Sequence, residues 1–547
     1  MISDSEIPTL DPSEIAVFET LGTRRRVEPG DYLYREGDSA YDFYILLSGA
    51  VDVLVGVGSA DERCITRHGP GRFMGELNLL SGLRVFVSAR VVEPGEVLVV
   101  PVGALRRVIA TLPALSDKIL ATFMARRADL LTDAAGGTRV VGSRFSPEAQ
   151  QLREFLARTR VPYQWLDADA DPEVDRILRE FRLEPSELPA VISSGTVLRR
   201  PTPGALSEYL GLTLGRLPDR CFDLVIVGGG PAGLAAAVYG ASEGLRTLGV
   251  EMSTPGGQAG TSSRIENYFG FPTGISGGDL TQRGVVQAEK FGALLSAPCA
   301  AVALGEEAGH LVVELSDGTQ VAGRSVIAAT GARYRRLDVD RLEEFESRGV
   351  YYAATDHEMR ECQGSPVAVV GGGNSAGQAA MFLADHGSPV TIVIRGRDLS
   401  ASMSRYLIDR LESHPEIEVR TQTRVIGLEG DGVLAGARFS GPAGESRISI
   451  AGLFSFIGAD PQSEWLSGRV ALDDKGFVLT DRGLADDQLR ERFAPLGRLP
   501  LPFETSCPGL FAVGDLRSGS TKRVAGAVGE GSASVRSVHE LLAFAPR

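Results

Sequence analysis

The spacing of apolar positions divides the chain into stretches of different character. Over DYLYREGDSAYDFYILLSGAVDVLVGVG, apolar and polar residues alternate, and the pattern is broken at Gly30, Gly37, Gly49 and Gly56. A period of two interrupted by glycine predicts short strands in a β-meander or roll. From Val102 to Thr132 the period changes. Leu105, Val108, Ile109, Leu112, Leu115, Ile119, Leu120, Phe123 and Met124 recur at helical spacing, and Pro113 is predicted to divide two helices. Ala134–Gly137 (AAGG) reads as a linker. A compact strand–helix alternation follows: RVVGS, SPEAQQLREFLART, PYQWLDAD, PEVDRILREF and PAVIS, then a hairpin arm and the helix GALSEYLGL.

From Cys221 onward the pattern repeats itself. The apolar strand FDLVIV runs into Gly228-Gly229-Gly230-Pro231-Ala232-Gly233, a helix, and a strand ending at Glu251. Later VAVV runs into Gly371-Gly372-Gly373-Asn374-Ser375-Ala376, a helix, and the strand VTIVI ending before Arg395. The two turns are 143 residues apart, and their strand-end residues follow the first glycine by 23 and 24 positions. One glycine-rich turn is weak evidence of nucleotide binding. Two in matching strand–turn–helix context, each with a residue suited to an adenosine ribose, are strong.

The chemistry of the turns is that of a phosphate held at a helix N-terminus, where unpaired N–H groups and the helix dipole favour negative charge. Side chains at Gly228, Gly230, Gly371 or Gly373 would fill that space. Glu251 can accept hydrogen bonds from ribose hydroxyls, which suits FAD or NAD. Arg395 and Arg397 would pair with a 2′-phosphate, which favours NADPH over NADH in the second copy.

Composition narrows the classes. With 547 residues, several domains are expected. A net charge of −14 argues against a nucleic-acid carrier or a membrane-surface binder, since both need basic patches. Five cysteines cannot form a disulfide framework in so long a chain and suggest a reducing, cytoplasmic setting. The N-terminal stretch lacks signal-peptide character, and the uncharged run Leu224–Ser242 is interrupted by glycines and a proline. The six histidines are scattered without metal-ligand spacing.

PGGQAGTSSRIENYFGFP (Pro255–Pro272), VIAATGA (Val326–Ala332), FIGADP (Phe456–Pro461) and PGLFAVGD (Pro508–Asp515) occur in the order found in low-molecular-weight thioredoxin reductases, which residues 219–547 resemble. The resemblance implies two Rossmann-like α/β dinucleotide-binding domains. The FAD domain would comprise 219–335 and 461–547, with an NAD(P)H domain, 336–460, inserted between. It implies FAD and NADPH as cofactors, and a homodimer. By resemblance Gln258 and Asn267 lie near the isoalloxazine ring, and Asp515 binds the ribityl–pyrophosphate region. The helix after Arg523 points its N-terminus at the flavin. Gly257, Thr330, Gly331, Gly514, Lys522 and Val524 complete the expected cofactor contacts, with Ser375 and Asn374 on the second site. The family carries a Cys-x-x-Cys just before the second glycine turn. Here Ala353 and Asp356 stand at those positions. His357, beside Asp356, is a candidate proton donor, with an ordinary loop histidine as the alternative. Cys362 reads as a small buried hydrophobe.

Residues 140–215 resemble a thioredoxin or glutaredoxin domain, a small α/β unit. Leu188-Pro189 falls at the family's cis-proline, and Ser146-Pro147-Glu148-Ala149 at its Cys-x-x-Cys. Both thiols are absent, so docking or spacing is the expected role. Residues 1–135 resemble a cyclic-nucleotide-binding domain, with Gly71-Arg72-Phe73-Met74-Gly75-Glu76-Leu77 as the phosphate cassette. By that resemblance Gly75, Glu76 and Leu77 would hold cyclic AMP or cyclic GMP, with Arg84 the candidate for its phosphate. The family's arginine position is occupied by Val85, with Arg84 one residue early and so turned to the opposite face. A module that only packs is the alternative, and no helix-turn-helix follows. The expected activity is hydride transfer from NADPH to flavin. The acceptor stays open between a partner's disulfide, a ferredoxin-like carrier, a quinone and dioxygen. The competing reading is a flavin- or nucleotide-sensing regulator without turnover.

Overall fold

The computed structural model describes the chain except for residues 1–7, 39–40, 59–61, 76–77, 82–83, 133–137, 194, 214–220, 263–264, 266–267, 347, 353, 355–357, 360–361, 363 and 545–547. Glu76, Leu77, Asn267, Asp356 and His357, named above as site residues, therefore lie outside the described residues.

The alternating N-terminal pattern folds as an antiparallel roll. Thr23–Val27, Ser88–Val100, Phe43–Val55 and Arg63–His68 lie side by side in that order. Tyr32–Tyr34 adds to Ser88–Val100, and Phe73–Met74 to Phe43–Val55. Register shifts between Leu46 and Val51 bend the long central pair, as an extra residue does in a β-bulge. The helical stretch divides at Pro113 as its sequence requires, into Val102–Thr111 and Pro113–Thr132, bent by 119°. Both pack apolar faces against Phe18, Phe43 and Phe73, with Phe123 edge-on to the last two rings. No single helix among the described residues is long and apolar enough to cross a membrane.

Residues 138–213 carry a four-stranded sheet in the order Thr196–Arg199, Ala190–Ser193, Arg139–Gly142, Gln164–Asp167. Arg139–Gly142 runs parallel to Gln164–Asp167 and antiparallel to Ala190–Ser193. The helices Pro147–Arg158, Val174–Glu180 and Pro203–Leu210 flank it, and the Leu188–Pro189 bond is cis.

The repeated half gives two parallel five-stranded sheets. The first orders Leu294–Ser296, Thr247–Val250, Leu224–Val227, Val326–Ala328, Leu510–Ala512. The second orders Val350–Tyr351, Gly452–Ser455, Val367–Val370, Val390–Val393, Ile417–Arg420. Central strands such as Leu224–Val227 and Val367–Val370 are buried along their whole length, because helices cover both faces of a parallel sheet. The chain leaves the first sheet domain through Ala332–Tyr334 and returns through Ala459–Pro461, and these two segments pair with each other.

The roll rests on the first sheet domain through the helix Gly277–Lys290, whose Val286 enters the roll's own apolar cluster. Glu289 of that helix faces Arg106 and Arg127. Burial pushes its carboxyl from 4.5 up to about 8, with the two cations pulling the other way. The folded state thus holds a proton that the unfolded chain releases, so stability falls as pH rises from about 4.5 to about 8. Glu289→Gln should raise Tm by about 2 °C at pH 8 and leave it nearly unchanged at pH 5, as read by thermal unfolding at both values.

Candidate dinucleotide cavity

At the end of Leu224–Val227 the backbone turns so tightly that side chains have no room. Gly228 has φ +108°, and a Cβ there would stand 2.3 Å from the Ala329 carbonyl oxygen. A Cβ on Gly233 would meet the Gly228 carbonyl oxygen at 1.8 Å, so the helix Pro231–Ser242 lies directly on the turn. Gly230 caps that helix and Pro231 opens it, a position where a missing N–H costs nothing. The Gly229 N–H donates to Glu251 Oε2 at 2.7 Å, and Ser253 N–H and O–H donate to Oε1 at 3.0 and 3.1 Å. Glu251 is thereby fixed at the strand end with its carboxylate on the cavity wall.

The other walls come from distant segments. Gly257 (φ +54°) packs on Gly230, where a Cβ would come within 2.9 Å of the Gly230 Cα. Gln258 Nε2 donates to the Ala332 carbonyl. Thr330 Oγ1 donates to the Gln462 carbonyl at 2.7 Å, and Gln462 N–H to Gly331 at 2.9 Å, tying the outgoing and returning strands together beside the cavity. Gly514, Asp515, Lys522, Arg523 and Val524 close the far side. Burial raises the Asp515 carboxyl above its ordinary value and Glu530 adds to this, while Lys522 and Arg523 oppose it. The cavity volume is about 700 Å³. That volume, bare backbone at the glycine turn and a ribose-binding carboxylate are what a flavin dinucleotide requires, so the residues present fit FAD.

The second turn repeats the geometry. Gly371 (φ +144°) faces the Phe456 carbonyl, which a Cβ would approach to 2.4 Å. Gly373 caps the helix Asn374–Asp385, and the Ser404 N–H donates to Asn374 Oδ1 at 2.7 Å. Where the first copy has Glu251, the second has Arg395 and Arg397, both exposed and without an ion-pair partner among the described residues. This donor set fits the extra phosphate of NADPH. Asn374, Ser375 and Gln378 line the same cavity as the first turn.

The pyridine nucleotide-disulphide oxidoreductase family matches residues 222–531. The chain belongs to that family. A cyclic nucleotide-binding domain matches residues 24–111. NADPH-dependent thioredoxin reductase 3 of Arabidopsis thaliana is 34% identical over 331 residues, covering 58% of this chain and 58% of that one. The thioredoxin reductase of Peptoclostridium acidaminophilum is 32% identical over 323 residues, covering 57% and 95%. Among solved structures, Lactococcus lactis thioredoxin reductase in its FR conformation is 27% identical, with TM-score 0.52, covering 59% and 99%. The T. acidophilum thioredoxin reductase is 26% identical, with the same score and coverage. This oxidoreductase is of the thioredoxin reductase type, and that family uses FAD and NADPH.

No disulfide joins the cysteines among the described residues. Cys362 is buried in the apolar cluster of the second sheet domain, as its sequence suggested. Cys299 lies on the cavity wall, but burial pushes its thiol up to about 11, and that of Cys507 likewise. In the roll, Gly75 has φ +147°. Arg84, expected beside a cyclic phosphate, instead donates from Nη1 to the Gly37 carbonyl at 2.9 Å and stacks over Tyr209 of the 138–213 unit. Its neighbour Val85 takes the inward position, among Tyr34, Tyr44 and Met74. The one-residue offset seen in the sequence decides this, since adjacent residues of an extended chain face opposite ways.

Sequence reading missed Arg158, which lines the cavity from the 138–213 unit, and Trp465, from the segment following the return strand. No motif marks either, because both reach the cavity only through tertiary packing. For the second site, replacing Arg395 and Arg397 together by alanine should raise KM for NADPH about tenfold and leave KM for NADH nearly unchanged, in initial-rate measurements with both nucleotides.

Proposed function

We propose that this chain is an FAD-dependent NADPH oxidoreductase whose electrons leave the flavin for an acceptor outside the chain, without a cysteine pair as relay. The observation that carries the reading is the shared cavity. The helix that follows the second glycine turn presents Asn374, Ser375 and Gln378 to the space walled by the first turn. A nicotinamide nucleotide held on the second domain is therefore held facing a flavin held on the first.

FAD, when bound, supplies the chemistry: it takes a hydride from the nicotinamide and gives up the electrons to the acceptor. The chain's own residues hold and orient. Gly228 and Gly230 admit the flavin nucleotide's diphosphate to bare backbone, and Glu251 takes its adenosine ribose. Arg395 and Arg397 hold the 2′-phosphate of NADPH. His357, with Asp356 beside it, is the proposed proton donor. Alanine at 353 and aspartate at 356 support direct transfer to an outside acceptor, because neither residue can carry a thiol. A ferredoxin-like carrier, a partner protein's disulfide and a quinone are the classes to test. The reading includes a cytoplasmic homodimer.

The strand order and the cis-proline of the 138–213 unit support reading it as a thioredoxin-like domain. Serine at 146 and alanine at 149 support a docking role for it. The roll is assigned a regulatory role, with cyclic AMP or cyclic GMP as candidate effector. The match over residues 24–111 supports this.

Without oxygen, NADPH should bleach the flavin's visible absorption band within seconds of mixing. A band unchanged over minutes would overturn the enzymatic reading in favour of a flavin-sensing regulator. Repeating the mixing with saturating cyclic AMP, then cyclic GMP, should change the bleaching rate. Identical rates with and without both nucleotides would refute the regulatory assignment.

A further inference from the structure

Ser207 Oγ of the 138–213 unit donates to the Ala297 carbonyl of the reductase at 2.7 Å, and a second contact is made by one helix end. The helix Pro147–Arg158 closes in a tight turn in which Arg160 has φ +52°. Arg160 forms an ion pair with Asp279, in the first turn of the helix Gly277–Lys290. Its carbonyl accepts from Arg127 Nη1 of the roll at 3.0 Å. The roll and the first sheet domain therefore both hold this helix end in place.

Two residues before Arg160, Arg158 stands on the wall of the 700 Å³ cavity. Its Nη2 donates to the Gly257 carbonyl at 3.4 Å. Gly257 packs on Gly230, and Gly230 caps the helix whose N-terminus receives a diphosphate. Arg158 is exposed and pairs with no carboxylate among the described residues. One long hydrogen bond occupies one of the five N–H donors of a guanidinium. The rest of the fork is available on the cavity side, beside a turn built for phosphate oxygens. A planar cation with paired donors suits such oxygens better than a point charge does.

We infer that Arg158 binds the diphosphate of the FAD in this cavity, so that the 138–213 unit completes the flavin site from outside the reductase fold. This rests on the reading that the cavity holds FAD. It also gives the thiol-free unit a function: with serine and alanine in place of sulfur, it contributes a fixed cation to the cofactor rather than electrons.

The test uses the full-length chain, stripped of flavin and titrated with FAD by fluorescence. Arg158→Ala should weaken FAD binding about tenfold, and Arg158→Lys about threefold, because lysine keeps the charge but loses the fork. Adding salt should weaken wild-type binding more than that of Arg158→Ala. Arg160→Ala, which frees the helix end without touching the cavity, should also weaken binding. Circular dichroism and melting of each stripped variant separate loss of affinity from loss of fold. FAD affinity of Arg158→Ala within about twofold of wild type overturns the inference. So does a rise in KM for NADPH with unchanged FAD affinity, which would assign the cation to the other dinucleotide. A wild-type chain that takes up no FAD overturns the flavoprotein reading itself.

Discussion

To hold a dinucleotide's diphosphate, a protein has to bring bare backbone to it, and here that demand spreads outward from one strand-to-helix bend. The Gly228 backbone passes so near Ala329 that a Cβ would stand 2.3 Å from its carbonyl oxygen. The Pro231–Ser242 helix sits on Gly228 through Gly233, and the Val524–Phe544 helix lies on Ala232 through Gly531, where a Cβ would fall 2.0 Å from the carbonyl oxygen. These approaches form one stack, in which displacing any layer displaces the next. Close packing makes the stack stiff, since an interior this dense has no slack to absorb an added methyl group. The cavity keeps its shape because its floor cannot move.

Much of this was legible in the chain. The two glycine turns could be read because the constraint on them is local: a strand, a bend without side chains, a helix and a strand-end residue stand at fixed spacing. Pro113 could be read as a break because the lack of an N–H acts within one helical turn. The displaced Arg84 was legible as an offset, but its destination was not. That it stacks on Tyr209 depends on how the roll meets the 138–213 unit. Arg158, Arg160 and Asp279 carried no signal for the same reason. Asp279 lies 119 residues beyond Arg160, in a segment whose own pattern says nothing about their meeting. The unusual environment of Glu289 was equally invisible, because an acid on an amphipathic helix looks solvated until another domain covers it.

The roll is more than an appendage. Val286 of the flavin domain's helix belongs to the roll's own apolar cluster, and Arg127 connects the roll to the Arg160 carbonyl. Arg127 also donates to Asn78, and Asn78 Nδ2 donates to the Arg84 carbonyl at 2.6 Å. Asn78 directly follows the cassette positions, so this chain of polar contacts runs from the roll's phosphate cassette toward the reductase. Such contacts are costly to leave unsatisfied when buried, which gives the interface a defined geometry rather than a loose apolar seam.

The flavin domain is assembled from both flanks of its insertion. Its fifth strand, Leu510–Ala512, and the helix Val524–Phe544 come from the far end of the chain, after the whole second domain. During synthesis, therefore, the roll, the 138–213 unit and the second domain are all complete while the first still lacks an outer strand and a covering helix. The nascent polypeptide cannot capture its prosthetic group early and fold around it. A complete pocket must await synthesis of residues 510–544, and until then Val326–Ala328 is an unpaired sheet edge.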